Sequence, residues 1–109
     1  MGETALRDII VDILEDRKAE AIEVISVKER STLADDFIIC NGSSVTHVRS
    51  IAEELMHRME KDHDTVPLHE EGLDTNRWVL LDYGQVVIHI FHPQEREFYS
   101  LDKLWRRSG

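Results

Sequence analysis

Arg77-Trp78-Val79-Leu80-Leu81-Asp82-Tyr83-Gly84-Gln85-Val86-Val87-Ile88-His89-Ile90-Phe91-His92 holds two apolar runs, Trp78 to Leu81 and Val86 to Phe91, joined through Asp82, Tyr83, Gly84 and Gln85. Runs of this kind on either side of a glycine-containing link predict a β-hairpin. With the turn centred on Tyr83 and Gly84, Leu81 pairs with Val86, Val79 with Ile88, Leu80 with Val87 and Trp78 with His89. Side chains alternate along each strand, which separates two faces. One carries only aliphatics, Val79, Leu81, Val86, Ile88 and Ile90, and suits packing against helices. The other carries Trp78, Leu80, Asp82, Gln85, Val87, His89 and Phe91. That mixture is costly in a dry core and common where aromatic anchors meet a partner. The alternative is that Trp78 and Phe91 merely cover a sheet edge. A bulge at Gly84 would shift the register and undo the partition.

Outward from the hairpin, the pattern alternates between helical and strand periods. Leu6, Ile9, Ile10, Ile13 and Leu14 form one stripe of an amphipathic helix, with Thr4 at the N-cap position. The β-branched run in Ala21 to Val27 predicts a strand. Lys28 to Asp36 is a polar turn, and Phe37 to Cys40 is a second strand, ended by Asn41 and Gly42, whose backbone freedom suits a tight turn. Ser43 or Ser44 then caps a longer helix carrying Val48, Ile51, Ala52, Leu55 and Met59 down to Lys61. Pro67, Glu70, Glu71 and Gly72 interrupt the pattern, with a short edge strand expected at Thr65 to Leu68. Pro93 starts a last helix with Phe98, Leu101, Leu104 and Trp105 as its stripe and Arg106 and Arg107 at its end. The fold class is therefore α/β: a layered sandwich with a mixed sheet of four to five strands, helices mainly on one face and the other face largely open.

The chain has 109 residues and 12.7 kDa, with 13 Lys and Arg against 22 Asp and Glu, a formal charge of −9. One domain spanning 1–109 is expected, without metal or disulfide staples. Hydrophobic residues make up 41% and run along the whole chain, which argues against a disordered acidic tail. The acidic balance disfavours a broad nucleic-acid surface and suits a basic protein partner. Cys40 is the single cysteine, which points to a reducing compartment. Met1 to Arg7 show no signal core or transit pattern, and no apolar run approaches the roughly 20 residues of a membrane helix. The expectation is a complete cytoplasmic protein.

Chemistry-bearing patterns are sparse. His47, His57, His63, His69, His89 and His92 show neither a His-Glu-x-x-His pattern nor a zinc-type cluster, so no metal and no cofactor is expected. Cys40 lies inside an apolar run and reads as a buried structural thiol rather than a nucleophile. Asn41-Gly42-Ser43-Ser44 before a helix could hold a phosphate, as the Gly-Ser turn of nucleotidyltransferases does. Such enzymes also need paired carboxylates on a following strand; that strand offers only Asp82, while Asp35 and Asp36 precede the turn and would diverge. Capping explains the serines without catalysis.

Three segments resemble the ribosomal silencing factor family, also called RsfS or Iojap. They are Ser31 to Ser44 with His47-Val48, Glu71-Gly72 followed by Trp78 to Phe91, and Arg96 to Trp105. The resemblance covers nearly the whole chain; Asp36 stands where the family usually has tyrosine, and Gln85 where it has aspartate. It implies a nucleotidyltransferase-like fold without transferase activity, and binding to the large ribosomal subunit through ribosomal protein L-fourteen. There it would block joining of the small subunit and repress translation when nutrients are short. It also implies a homodimer when free, little direct nucleic-acid contact and no membrane. Trp78, Leu81, Asp82 and Tyr83 match the family stretch associated with partner contact. Strand alternation adds Leu80, His89 and Phe91 and turns Leu81 inward. The alternatives are a residual nucleotidyltransferase-like enzyme or a dimeric adaptor.

Overall fold

A computed structural model describes residues 6–26 and 35–95. The expected N-cap at Thr4, most of the polar turn after Ala21 to Val27, and the helical stripe from Phe98 to Trp105 lie outside these residues. Among those described, the order is α1 (Leu6–Asp16), β1 (Glu20–Ser26), β2 (Asp36–Asn41), α2 (Val45–His63), β3 (His69–Glu71), β4 (Trp78–Asp82) and β5 (Val86–Phe91). Residues 93–95 begin a further helical turn, as the proline at its first position predicts.

The five strands form one mixed sheet in the order β1-β2-β5-β4-β3, with β2 and β5 parallel and the other pairs antiparallel. The helices pack on one face. Ile10, Ile13 and Leu14 of α1 and Val48, Ile51, Ala52, Leu55 and Met59 of α2 meet Ile38, Cys40, Val79, Leu81, Val86, Ile88 and Ile90 of the sheet. Every one of these is buried, Cys40 included. The layered α/β architecture with helices on one side is thus the one expected.

Local chemistry sets the boundaries. Ser44 is the N-cap of α2, its hydroxyl accepting the His47 N–H at 3.1 Å. The helix ends on Asp64 in the left-handed region, whose N–H returns to Glu60, while Thr65 N–H returns to Met59. Gly42 serves a purpose other than turn flexibility: a Cβ there would lie 2.7 Å from the Val48 backbone nitrogen, so the absent side chain lets the end of β2 lie against α2.

Two expectations need correction. The edge strand lies at His69–Glu71, not Thr65 to Leu68. Pro67 has no N–H to offer a ladder, and pairing begins only when Leu68 N–H reaches the Asp82 carbonyl at 2.7 Å. The hairpin register also slips by two residues: Leu81 faces Ile88, Val79 faces Ile90, Leu80 faces His89 and Trp78 faces Phe91. The turn closes tightly, with Tyr83 N–H donating to Val86 O, Gln85 N–H donating to Tyr83 O, and Gly84 at φ +87. Asp82 Oδ1 accepts the Gly84 N–H at 2.8 Å and fixes this turn. A slip of two leaves alternation intact, so the partition of faces is the expected one.

Candidate functional site

Opposite residues on neighbouring strands share a face, so the register lays out the side of the sheet away from α1 and α2 row by row. One row runs Glu71, Leu80, His89, Ile39, Glu23; the next runs His69, Asp82, Val87, Phe37, Ile25; a third runs Trp78, Phe91, Asn41, Glu20. Apolar and aromatic groups hold the centre, and Glu71, Glu23 and Glu20 sit on the outer strands. Ile25, Ile39 and Phe91 are buried here, with Phe37, Trp78 and Val87 packed on them. Hairpin alternation exposes the part of this face on β4 and β5. The contributions of Phe37, Ile39, Glu20 and Glu23 become visible only once the parallel pairing of β2 with β5 is known.

The aromatic rings interlock. Trp78 stacks on Phe91 at 5.0 Å between ring centroids and 28° between planes, and Phe37 tilts against His89 at 5.3 Å. Trp78 Nε1–H donates to His89 Nδ1 at 3.0 Å, which places the imidazole proton on Nε2. That Nε2 is buried and finds no hydrogen-bond partner among the described residues. With 5% of its surface exposed, His89 is desolvated, and its pKa is pushed down from 6.5 to about 4.

A pH dependence follows. Between 6.5 and about 4 the unfolded chain binds a proton at His89 that the folded chain refuses. His89 therefore leaves stability intact above the upper value and removes up to about 3 kcal/mol as pH falls through that window. Urea unfolding at pH 7.5 and 4.5 should show this loss, and His89→Phe should remove that part of the slope. An identical slope in the variant would contradict it.

The residues expected to form the site divide between the two sides of the sheet. Trp78, Leu80 and Asp82 are partly exposed on the outer face, with His89 and Phe91 buried beneath their neighbours on the same face. Leu81 and Tyr83 belong to the helix-side core, at 0% and 7% exposure. Burial raises the Tyr83 pKa to about 12, aided by the nearby charge of Glu70.

The Gly-Ser turn is occupied by its own contacts. Gly42 N–H bonds the Phe91 carbonyl, Ser43 N–H donates to His47 Nδ1 at 2.8 Å, and Ser44 caps the helix. His47 Nε2–H in turn donates to the Arg17 carbonyl at 2.8 Å, tying the end of α1 to the start of α2. Asp35 and Asp36 both send their N–H groups to the Gln85 carbonyl, so Gln85 contributes to the sheet through its backbone. Among the described residues, no cluster of three or more His, Cys, Asp or Glu could hold a metal ion, and no helix is long and apolar enough to cross a membrane.

Comparison with known proteins places this architecture. The family profile described as "Ribosomal silencing factor during starvation" matches residues 3–109. A "Ribosomal silencing factor RsfS" from Halalkalibacterium halodurans is 39% identical over 105 residues, spanning 96% of this chain and 89% of that protein. The protein of the same name from Bacillus subtilis is 38% identical, spanning 96% of this chain and 88% of its own length. A crystal structure of a protein from Bacillus halodurans superposes with a TM-score of 0.81 at 39% identity, covering 92% of both chains. One from Chromobacterium violaceum superposes with a TM-score of 0.86 at 27% identity, covering 94% of this chain and 87% of the other. The chain belongs to the RsfS/Iojap family of ribosomal silencing factors.

Proposed function

We propose that this protein represses translation by occlusion: it docks on the large ribosomal subunit through ribosomal protein L-fourteen and keeps the small subunit from joining. The observation that carries this reading is the outer sheet face, where Trp78, Leu80 and the rings behind them form an apolar centre flanked by the carboxylates of Glu20, Glu23 and Glu71. Aromatic anchors of this kind supply affinity in protein interfaces, and a carboxylate margin selects a basic protein in preference to phosphate-bearing RNA. Asp82 and Tyr83 contribute through the turn they build, and Leu81 through the core that holds β4 in place. In this reading the protein works in the cytoplasm without catalysis or a cofactor and forms a homodimer when free of the ribosome. Little of its surface meets nucleic acid.

Sucrose-gradient co-sedimentation with purified large subunits, paired with a light-scattering assay of subunit joining, tests the proposal. The wild-type chain should migrate with large subunits and suppress joining. Glu23→Lys combined with Glu71→Lys should slow association roughly tenfold or more at low salt, with the difference shrinking as salt rises. Co-sedimentation equal to wild type at every salt concentration would remove the acidic margin from the proposal. Joining that proceeds at full rate with wild-type protein bound would defeat occlusion itself.

A further inference from the structure

We infer that His89 is a positioning residue of the outer sheet face, whose Nδ1 holds the Trp78 indole in the pose a partner meets. In its functional half this deepens the docking proposal above and rests on it. Trp78 lies opposite Phe91, and His89 opposite Leu80, so indole and imidazole are diagonal neighbours across the β4–β5 pair. Diagonal positions on a sheet are within reach of aromatic side chains. The indole has a single polar atom, a donor, and it meets His89 Nδ1 at 3.0 Å while its ring lies against Phe91 at 5.0 Å.

The imidazole cannot swing away. Phe91 stacks near-parallel to it, with 13° between planes, and Phe37 packs at 5.3 Å. A phenylalanine would fill the same site among these rings without placing a buried polar ring there. Histidine brings an Nε2–H that is buried and unpartnered among the described residues, which disfavours folding. What it adds in return is the acceptor for Trp78. An indole fixed before contact loses less rotamer freedom on binding, an advantage of roughly threefold to tenfold in affinity.

The test uses the full chain carrying Trp105→Phe, which leaves Trp78 as the one indole of the two in the sequence. His89→Phe removes the acceptor and keeps a ring; His89→Asn returns an amide oxygen close to the former Nδ1. Three quantities are read: the indole Nε1–H resonance, the time-resolved anisotropy of Trp78, and the dissociation rate from large subunits. His89→Phe should shift the resonance upfield, loosen the indole and speed dissociation roughly threefold to tenfold. His89→Asn should move the resonance and the anisotropy back toward wild type. An unmoved resonance and anisotropy in a folded His89→Phe chain overturn the inference. So does a loosened indole with a wild-type dissociation rate, provided Trp78→Ala itself dissociates faster. If Trp78→Ala also dissociates like wild type, the docking proposal is what fails, and the shifted resonance still upholds the positioning of the indole.

Discussion

Trp78→Ala is expected to weaken binding to large ribosomal subunits by roughly thirtyfold to a thousandfold, the range of a central aromatic anchor. On the proposed docking face this ring is partly exposed, and its other side lies on Phe91, so it presents a rigid apolar surface rather than a mobile one. The substitution also acts on the fold: it uncovers Phe91 and leaves His89 Nδ1 without the indole donor. A stability loss of about 2–3 kcal/mol should accompany the loss of binding. Trp78→Phe separates the two effects by restoring a ring over Phe91 without the N–H. Binding measured below the melting temperature of each variant decides the matter, and wild-type affinity in a folded Trp78→Ala chain would move the docking surface elsewhere.

The second large effect concerns a glycine. Gly72→Ala is expected to destabilise the protein by at least about 3 kcal/mol. Gly72 follows β3 with φ +87, and a Cβ there would run into the Trp78 carbonyl oxygen, backbone that can yield only if the start of β4 moves. Gly84 is the internal control. It has the same φ of +87, but its Cβ would meet only the Leu68 Cδ1 at 3.4 Å. Gly84→Ala should therefore show the backbone term alone, about 1–2 kcal/mol. Urea midpoints measured side by side give the comparison. Equal losses would mean that the Trp78 carbonyl yields at no cost, against the geometry described here.

Much of this architecture is legible in the sequence because the faces of a sheet depend only on alternation. Val79, Leu81, Ile88 and Ile90 point to the helices in either hairpin register, so a two-residue slip leaves them where alternation puts them. The slip itself is invisible, since Tyr83-Gly84 and Gly84-Gln85 are both acceptable turn centres. β3 is hidden for the opposite reason: His69, Glu70 and Glu71 carry no apolar alternation and pair only because β4 offers an edge. The site is half legible. Trp78, Leu80 and His89 fall on the outward face by period alone. The burial of His89 depends on Phe37 and Ile39, which arrive from a strand about fifty residues earlier in the chain.

The strand that unites the sheet is also the last of the described strands in the chain. β5 lies between β2 and β4 in the order β1-β2-β5-β4-β3, yet its residues, Val86–Phe91, follow those of every other described strand. During synthesis, the β1–β2 ladder and the β3–β4 ladder can each form early, but as two-stranded pieces that have little stability of their own. Until β5 emerges, neither side of the sheet is continuous, and Trp78 lacks both Phe91 to stack on and His89 to bond. The proposed docking face is consequently assembled only once β5 has been made. A chain stopped before Val86 would carry Trp78 and Leu80 without the surface they belong to.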